Sequence, residues 1–339
     1  SSNGVMRIVG TEEMYDYWAL GIREDMVVAP WKYAEYSSDI EKVIIENGVT
    51  HIGDYSFCES TDSNGNGRYY NKLNALEIAE TVTSIGKSAF CSCHNLNSVS
   101  MPDSVELIRE WAFLGTSISN IHWSTSLISV GESSFTSTDL TEIDLPEQVQ
   151  IVDYRAFSSC NRLIRITIPD NCEVEGDAFY SCENLDSVVI GSNCKLKGHV
   201  FNECTNLKNV SIGEGTVNIY EGKPNQTLDG DTFYRCTGLQ SIYLPNSWNL
   251  GLVGEKTICL FYGCTNIRDV QIFDTNPKYR LIDGVVYSID GQTLVYYPSG
   301  LTASEYEIPE GVSKVGAGAF REQKYLENVI IPSSVQDIE

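Results

Sequence analysis

The sequence predicts an α/β-type repeat solenoid, strand-rich with little helix, and three observations carry that prediction. Ten of the eleven phenylalanines fall at regular intervals: Phe57, Phe90, Phe113, Phe135, Phe157, Phe179, Phe201, Phe233, Phe261 and Phe320, with four successive gaps of 22 residues. Self-similarity at a period of about 20–29 residues is the mark of a stacked solenoid. The apolar positions between the phenylalanines also align. Phe157 is followed by Cys160, Leu163, Ile166, Ile168 and Pro169, and Phe179 by Cys182, Leu185, Val188 and Ile190. The run after each Leu alternates, which sends Val and Ile to one face of a strand and the residues between them to the other.

Taken in order, residues 1–39 form no rung. They hold Tyr15, Tyr17, Trp18, Trp31, Tyr33 and Tyr36 within 22 residues. An aromatic-rich cap over the first rung's open edge is the expectation; a carbohydrate-stacking platform built on Trp18 and Trp31 is the competing reading. Residues 40–339 form the solenoid. The template places strands at 40–45, 73–78, 96–101, 118–123, 140–145, 163–168, 185–190, 207–212, 239–244, 267–272, 305–308 and 326–331. Pro after the last apolar residue closes a strand because it has no N–H to donate. A second short apolar pair follows, as at Val105 and Ile108. The small residues Ala89, Ala112, Ala156, Ala178 and Ala319 then mark a close approach of coils. The Ser-Ala-Phe and Asp-Ala-Phe segments are too short for more than a turn of helix.

Four stretches break the interval. Asp62-Ser63-Asn64-Gly65-Asn66-Gly67 opens like an EF-hand loop, but position twelve is Leu73 where a bidentate Glu belongs, so a polar surface loop is expected. Asn218–Gly230 reads as a polar excursion. Asn246–Lys256 stretches one rung and is expected to expose Trp248. Residues 275–300 alternate around Asp283-Gly284 and Asp290-Gly291, both hairpin turn signals, and predict a small β-meander projecting from the side. Its tyrosines, Tyr279, Tyr287, Tyr296 and Tyr297, read as a satellite core, with a ligand-facing aromatic patch as the competing role.

The eleven cysteines are not spaced as a disulfide framework. Cys93, Cys160, Cys182, Cys204, Cys236 and Cys264 each lie three residues after a landmark Phe, and the same column elsewhere holds Ser60, Thr116, Thr138 or Gln323. A column that accepts Cys, Ser and Thr wants a small side chain with a weak polar head, so buried free thiols are expected. Cys91-Ser92-Cys93 is too tight for a zinc knuckle, and no metal or other cofactor is expected. The net charge of −23 excludes nucleic acid and anionic membranes as natural partners. No apolar run approaches the roughly 20 residues of a membrane span, so no membrane insertion is expected. Four scattered histidines, His51, His94, His122 and His199, and the absence of any recognisable nucleophile, phosphate-loop or dinucleotide motif predict no enzyme.

The recurring string, with Ala-Phe, Cys three residues on, Leu, Val-x-Ile and Pro, resembles the BspA-like leucine-rich repeat, also called the Treponema pallidum-type repeat. Residues 88–102, 156–169 and 319–332 carry it, and the likeness covers about residues 40–339. The resemblance implies a right-handed leucine-rich-repeat superhelix of about twelve rungs with a parallel sheet. The segment from Asn276 to Pro298 looks like the β-hairpin insert of many members. Such proteins are typically secreted or displayed at the surface of anaerobic bacteria, with the signal peptide removed, and some are implicated in adhesion. The expected role is therefore a non-enzymatic extracellular or cell-surface binding module whose partner is a host or bacterial surface protein or a glycan. The outward strand residues are the candidate contacts: His122, Glu142, Asp144, Arg165, Thr167, Asn209 and Tyr243. The alternative is a passive spacer or scaffold within a larger surface protein.

Overall fold

The structure is a computed structural model describing residues 4–16, 39–58, 60–61, 67–68, 72–219, 232–248, 250–253, 256–258 and 261–339. The aromatic residues from Tyr17 to Tyr36, the Asp62 loop and the Glu221–Asn225 stretch lie outside these residues. Among the described residues there is no helix, and each of the twelve template strands is present. The chain divides into two compact units, residues 1–163 and 164–339.

In the first unit, Lys42–Ile45 pairs in parallel with Ala75–Ile78, and Asn120–His122 with Ser98–Ser100. The second apolar pair of each rung forms its own parallel ladder, running His51–Ile52, Ser84–Ile85, Leu107–Ile108, Ser129–Val130 and Ile151–Val152. One strand departs from the sequence reading. Val5–Ile8 pairs in parallel with Lys42–Ile45, so the segment expected to lack a rung extends the first ladder by one strand. It carries neither the Leu nor the Ala-Phe landmark, and only the register Met6↔Val43 and Ile8↔Ile45 reveals it.

In the second unit, Arg165–Ile168, Ser187–Ile190, Asn209–Ile212, Ser241–Leu244 and Asp269–Ile272 run side by side in parallel. The insert is a meander: Tyr279–Ile282, Val285–Ser288 and Thr293–Tyr296 are antiparallel neighbours. Its tight turn uses Asp283 and Gly284, both at positive φ, as a two-residue hairpin requires. The meander does not simply project. Thr293–Tyr296 pairs in parallel with Lys314–Val315, which pairs with Asp337–Ile338, so the insert is the first strand of a ladder. Tyr287 and Tyr297 are fully buried against Val285, Leu294, Ile308 and Val315, which makes the insert part of the core. Trp248, expected to be exposed, is instead buried, 6.1 Å from the Phe233 ring, with Lys278 donating to its carbonyl.

Phenylalanine rings stack on one another within each unit. Rings from Phe57 to Phe157 follow one another at 5.2–5.4 Å, nearly parallel, in the first unit. Phe179, Phe201 and Phe233 do the same at 5.2 and 5.6 Å in the second. Around many of these rings the backbone alternates in hand. Residues two before and two after the Phe take positive φ at Ser88 and Ser92, Trp111 and Gly115, Ser133 and Ser137, Arg155 and Ser159, and Asp177 and Ser181. The alternation turns the N–H groups of all three odd positions the same way. Ser88, Phe90 and Ser92 donate to the carbonyls of Glu110, Ala112 and Leu114 at 2.7–2.8 Å; Trp111, Phe113 and Gly115 repeat the pattern onto Glu132, Ser134 and Thr136. These rungs thus donate forward at their Phe turns.

The cysteine column completes this link in the opposite sense. Cys160 donates its S–H to the carbonyl of Phe135 at 3.2 Å, Cys204 to Phe179 at 3.1 Å and Cys236 to Phe201 at 3.1 Å. All ten described cysteines are free thiols, nine of them buried, and Cys91 alone of these is partly exposed. Burial pushes the Cys204 thiol above its ordinary value, which keeps it a neutral donor. Gly131 marks a close approach of coils: a Cβ there would lie 2.7 Å from the Ile108 carbonyl oxygen.

Candidate binding surface

The strand alternation sends one row of side chains inward and leaves the other on the surface. Val99, Ile143, Ile166, Val188, Val210 and Ile242 are buried. His122, Glu142, Asp144, Arg165 and Asn209 are exposed, and Thr167 and Tyr243 are half-buried. All seven predicted residues therefore sit on outward positions.

Three of them, His122, Glu142 and Asp144, belong to the first unit and the other four to the second. In the first unit, His122 faces Ser100 across the ladder, whereas Glu142–Asp144 lies outside that two-stranded pairing. His122 joins a shallow depression of about 350 Å³ with Glu77, Glu80, Asp103, Ile78 and Met101. Glu142 and Asp144 are not among its walls. Asp103 accepts the Thr125 N–H at 3.0 Å, a bond that holds its carboxyl below the usual range. Glu77 is ion-paired with Lys42. The result is a mainly polar depression in which three carboxylates stand near an imidazole. Glu80 and Asp103 escape the strand template because they stand just past strand ends, where alternation no longer assigns a face.

In the second unit, Arg165 and Asn209 share one register row, through Ser187, and lie two strands apart, or about 10 Å. Thr167 occupies the neighbouring row beside Val189, which is 49% exposed. Tyr243 pairs with Gln271. Its ring meets Phe273 edge-on at 4.8 Å, and its hydroxyl donates to Glu214 at 3.2 Å. Burial first, and then the Glu214 carboxylate, push the Tyr243 phenol up to about 12. Phe273 is 47% exposed. It is the eleventh phenylalanine, the one that falls off the interval, and that irregularity was the signal by which sequence could have found it.

The profile of the BspA type leucine rich repeat region matches in six copies, over residues 32–64, 66–182, 129–227, 173–277 and 295–339. No curated protein matches the chain. Among solved structures, a leucine-rich repeat protein from Bacteroides ovatus is similar at 21% identity, with 86% of this chain and 78% of that one covered and a TM-score of 0.47. A leucine rich cell surface protein from Faecalibacterium prausnitzii is 18% identical, with 97% and 90% covered and a TM-score of 0.34. A leucine-rich repeat protein from Eubacterium ventriosum is 18% identical with a TM-score of 0.31; all of this chain aligns, spanning 58% of that protein's length. Among the described residues no helix is long and apolar enough to cross a membrane. With the strand order, the stacked Phe rings and the repeated profile in agreement, the chain belongs to the BspA type leucine rich repeat family.

Proposed function

We propose that this protein is a non-enzymatic extracellular or cell-surface binding module, which recognises a protein or glycan partner through the outward face of its main strands. The observation that carries the reading is the depression beside His122. Glu77, Glu80 and Asp103 surround it, with the partly buried Ile78 among its walls. Such a site suits a partner presenting Lys or Arg, whose charged head meets the carboxylates. In the second unit the Tyr243–Phe273 pair offers a rigid aromatic anchor, the residue class that dominates interface energies.

The test is a screen of extracellular matrix proteins and glycans against the purified chain, followed by charge reversal on any saturable hit. Asp103→Lys should weaken binding at least tenfold, and raised salt should weaken the parent interaction, since exposed charges are screened. Glu142→Lys with Asp144→Lys tests the neighbouring outward pair. If binding survives all three reversals and Tyr243→Ala, the outward face is not the binding surface. A blank screen would favour a spacer that holds other domains apart.

A further inference from the structure

We propose that Asp16, His51 and Asp54 form a binding site for a divalent transition-metal ion of the zinc class, remote in role from the strand face and unforeseen in the sequence. One ligand-capable atom from each residue lies within 4.8 Å of the others. The three come from two segments of the first unit. Asp16 lies in the N-terminal segment, His51 opens a strand of the second ladder, and Asp54 follows that strand directly.

The imidazole is built in. The His51 side chain is only 6% exposed, and Ser84 Oγ stands 2.7 Å from Nδ1. A hydrogen bond on the far nitrogen is what fixes the ring of a metal-ligating histidine. It leaves Nε2 directed at Asp16 Oδ1, 3.2 Å away. Both carboxylates are also held. Asp16 Oδ1 accepts the Asp54 N–H at 2.9 Å, and Asp54 Oδ1 accepts the Lys87 N–H at 2.6 Å. Asp54 keeps its second oxygen to offer, and Asp16 Oδ1, which faces Nε2, has a further lone pair beside its amide bond. The Met14 N–H, bonded to the His51 carbonyl at 3.1 Å, fastens the N-terminal segment beside the site.

Geometry and charge both favour an ion. Two donors 3.2 Å apart, each about 2.1 Å from one zinc ion, subtend about 100°, close to the tetrahedral angle. The other pairs lie within 4.8 Å, and exposed Asp16 can rotate to close them. Arg109 approaches Asp54 at 3.7 Å but is itself 46% exposed. A dication shared by both carboxylates and Nε2 offsets the mutual repulsion of the two carboxylates. One nitrogen and two oxygen donors suit Zn²⁺ or Co²⁺; Ca²⁺ takes six to eight oxygens and is excluded by the donor set. The ion needs a bare Nε2, so His51 then carries its proton on Nδ1 and donates to Ser84.

The experiment uses the full chain with Co²⁺ as the spectroscopic probe and Zn²⁺ for calorimetry and nitrogen-15 NMR. Expected are one saturable equivalent, visible d–d bands without thiolate charge transfer, a shift of His51 Nε2 on adding Zn²⁺, and at least tenfold weaker binding in both Asp16→Asn and Asp54→Asn. Asn keeps the amide-accepting oxygen in each, so the fold should survive, and the His51 signal reports on the site without mutation. Failure to bind, thiolate bands indicating cysteine ligands, an unmoved His51 signal, or equal affinity in both variants would overturn the proposal.

Discussion

Phe113 offers the sharpest test of how the rungs hold together. Its ring is fully buried and stacked on both sides, 5.4 Å from Phe90 and 5.3 Å from Phe135. Truncation to Ala removes the transfer energy of the ring and leaves a cavity, a loss of about 3–5 kcal/mol. Replacement by Leu keeps most of the apolar volume but forfeits two ring contacts worth about 0.5–1.5 kcal/mol each, so about 1–3 kcal/mol. The two variants should differ by about 2 kcal/mol. In a solenoid each rung contacts its neighbours, so the damage should be local. Native-state hydrogen exchange reads this directly. The amides of Phe90, Trp111, Phe113 and Gly115 donate to the next rung. They should lose roughly a thousandfold in protection in Phe113→Ala, at 1.4 kcal/mol per decade for a loss near 4 kcal/mol. Amides of Asp269–Ile272 should not change. Loss of protection spread evenly over the chain, or a Leu variant as damaged as the Ala variant, would refute the stacked-column account.

Three further outcomes follow from the same packing. In a Cys259→Ser background, native thiol labelling should consume Cys91 alone, because the other nine described cysteines are buried; rapid labelling of Cys160 or Cys204 would contradict the S–H donor column. Gly131→Ala should cost about 1–3 kcal/mol in urea melts, since its Cβ would meet backbone at 2.7 Å; a neutral substitution would show that the coils can part cheaply. Lys197 lies 2.5 Å from Glu173 and 2.7 Å from Glu175, and its hydrogen bond holds Glu173 below the ordinary carboxylate range. A depressed folded value stabilises at neutral pH and is lost as pH falls through it. Lys197→Met should therefore lower Tm at pH about 7 and matter progressively less below about 4, and a gap that widens in acid would reverse that sign.

Much of the fold was legible because its strongest constraint is periodic. Phe, Cys, Leu, Val and Ile recur at fixed offsets, so all twelve template strands could be placed from spacing alone. Val5–Ile8 could not: it lacks the landmarks, and backbone pairing with Lys42–Ile45 defines it. The left-handed positions beside the Phe rings were equally hidden. They are filled by residues as different as Ser88, Trp111, Arg155 and Glu203, so no residue type announces them. The outward face was readable as a surface, because alternation assigns sides, but not as a site. Concavity depends on residues beyond strand ends, such as Glu80 and Asp103, and on Phe273, whose meaning lay in being off the interval. The Asp16–His51–Asp54 group joins positions 35 residues apart, which no local motif can express.

The forward-donating Phe turns give the chain a polarity that ordinary sheets lack. Wherever Ser88, Phe90 and Ser92 offer N–H groups, the following rung must offer carbonyls. A rung laid in reverse would set carbonyl against carbonyl and leave three donors without acceptors, each a lost hydrogen bond in a dry interface. Growth by tandem duplication therefore preserves every junction, while inversion breaks one at each end. The repeat is in this sense a vectorial polymer: a segment can be copied, lengthened or interrupted by a meander, but its direction cannot be turned around.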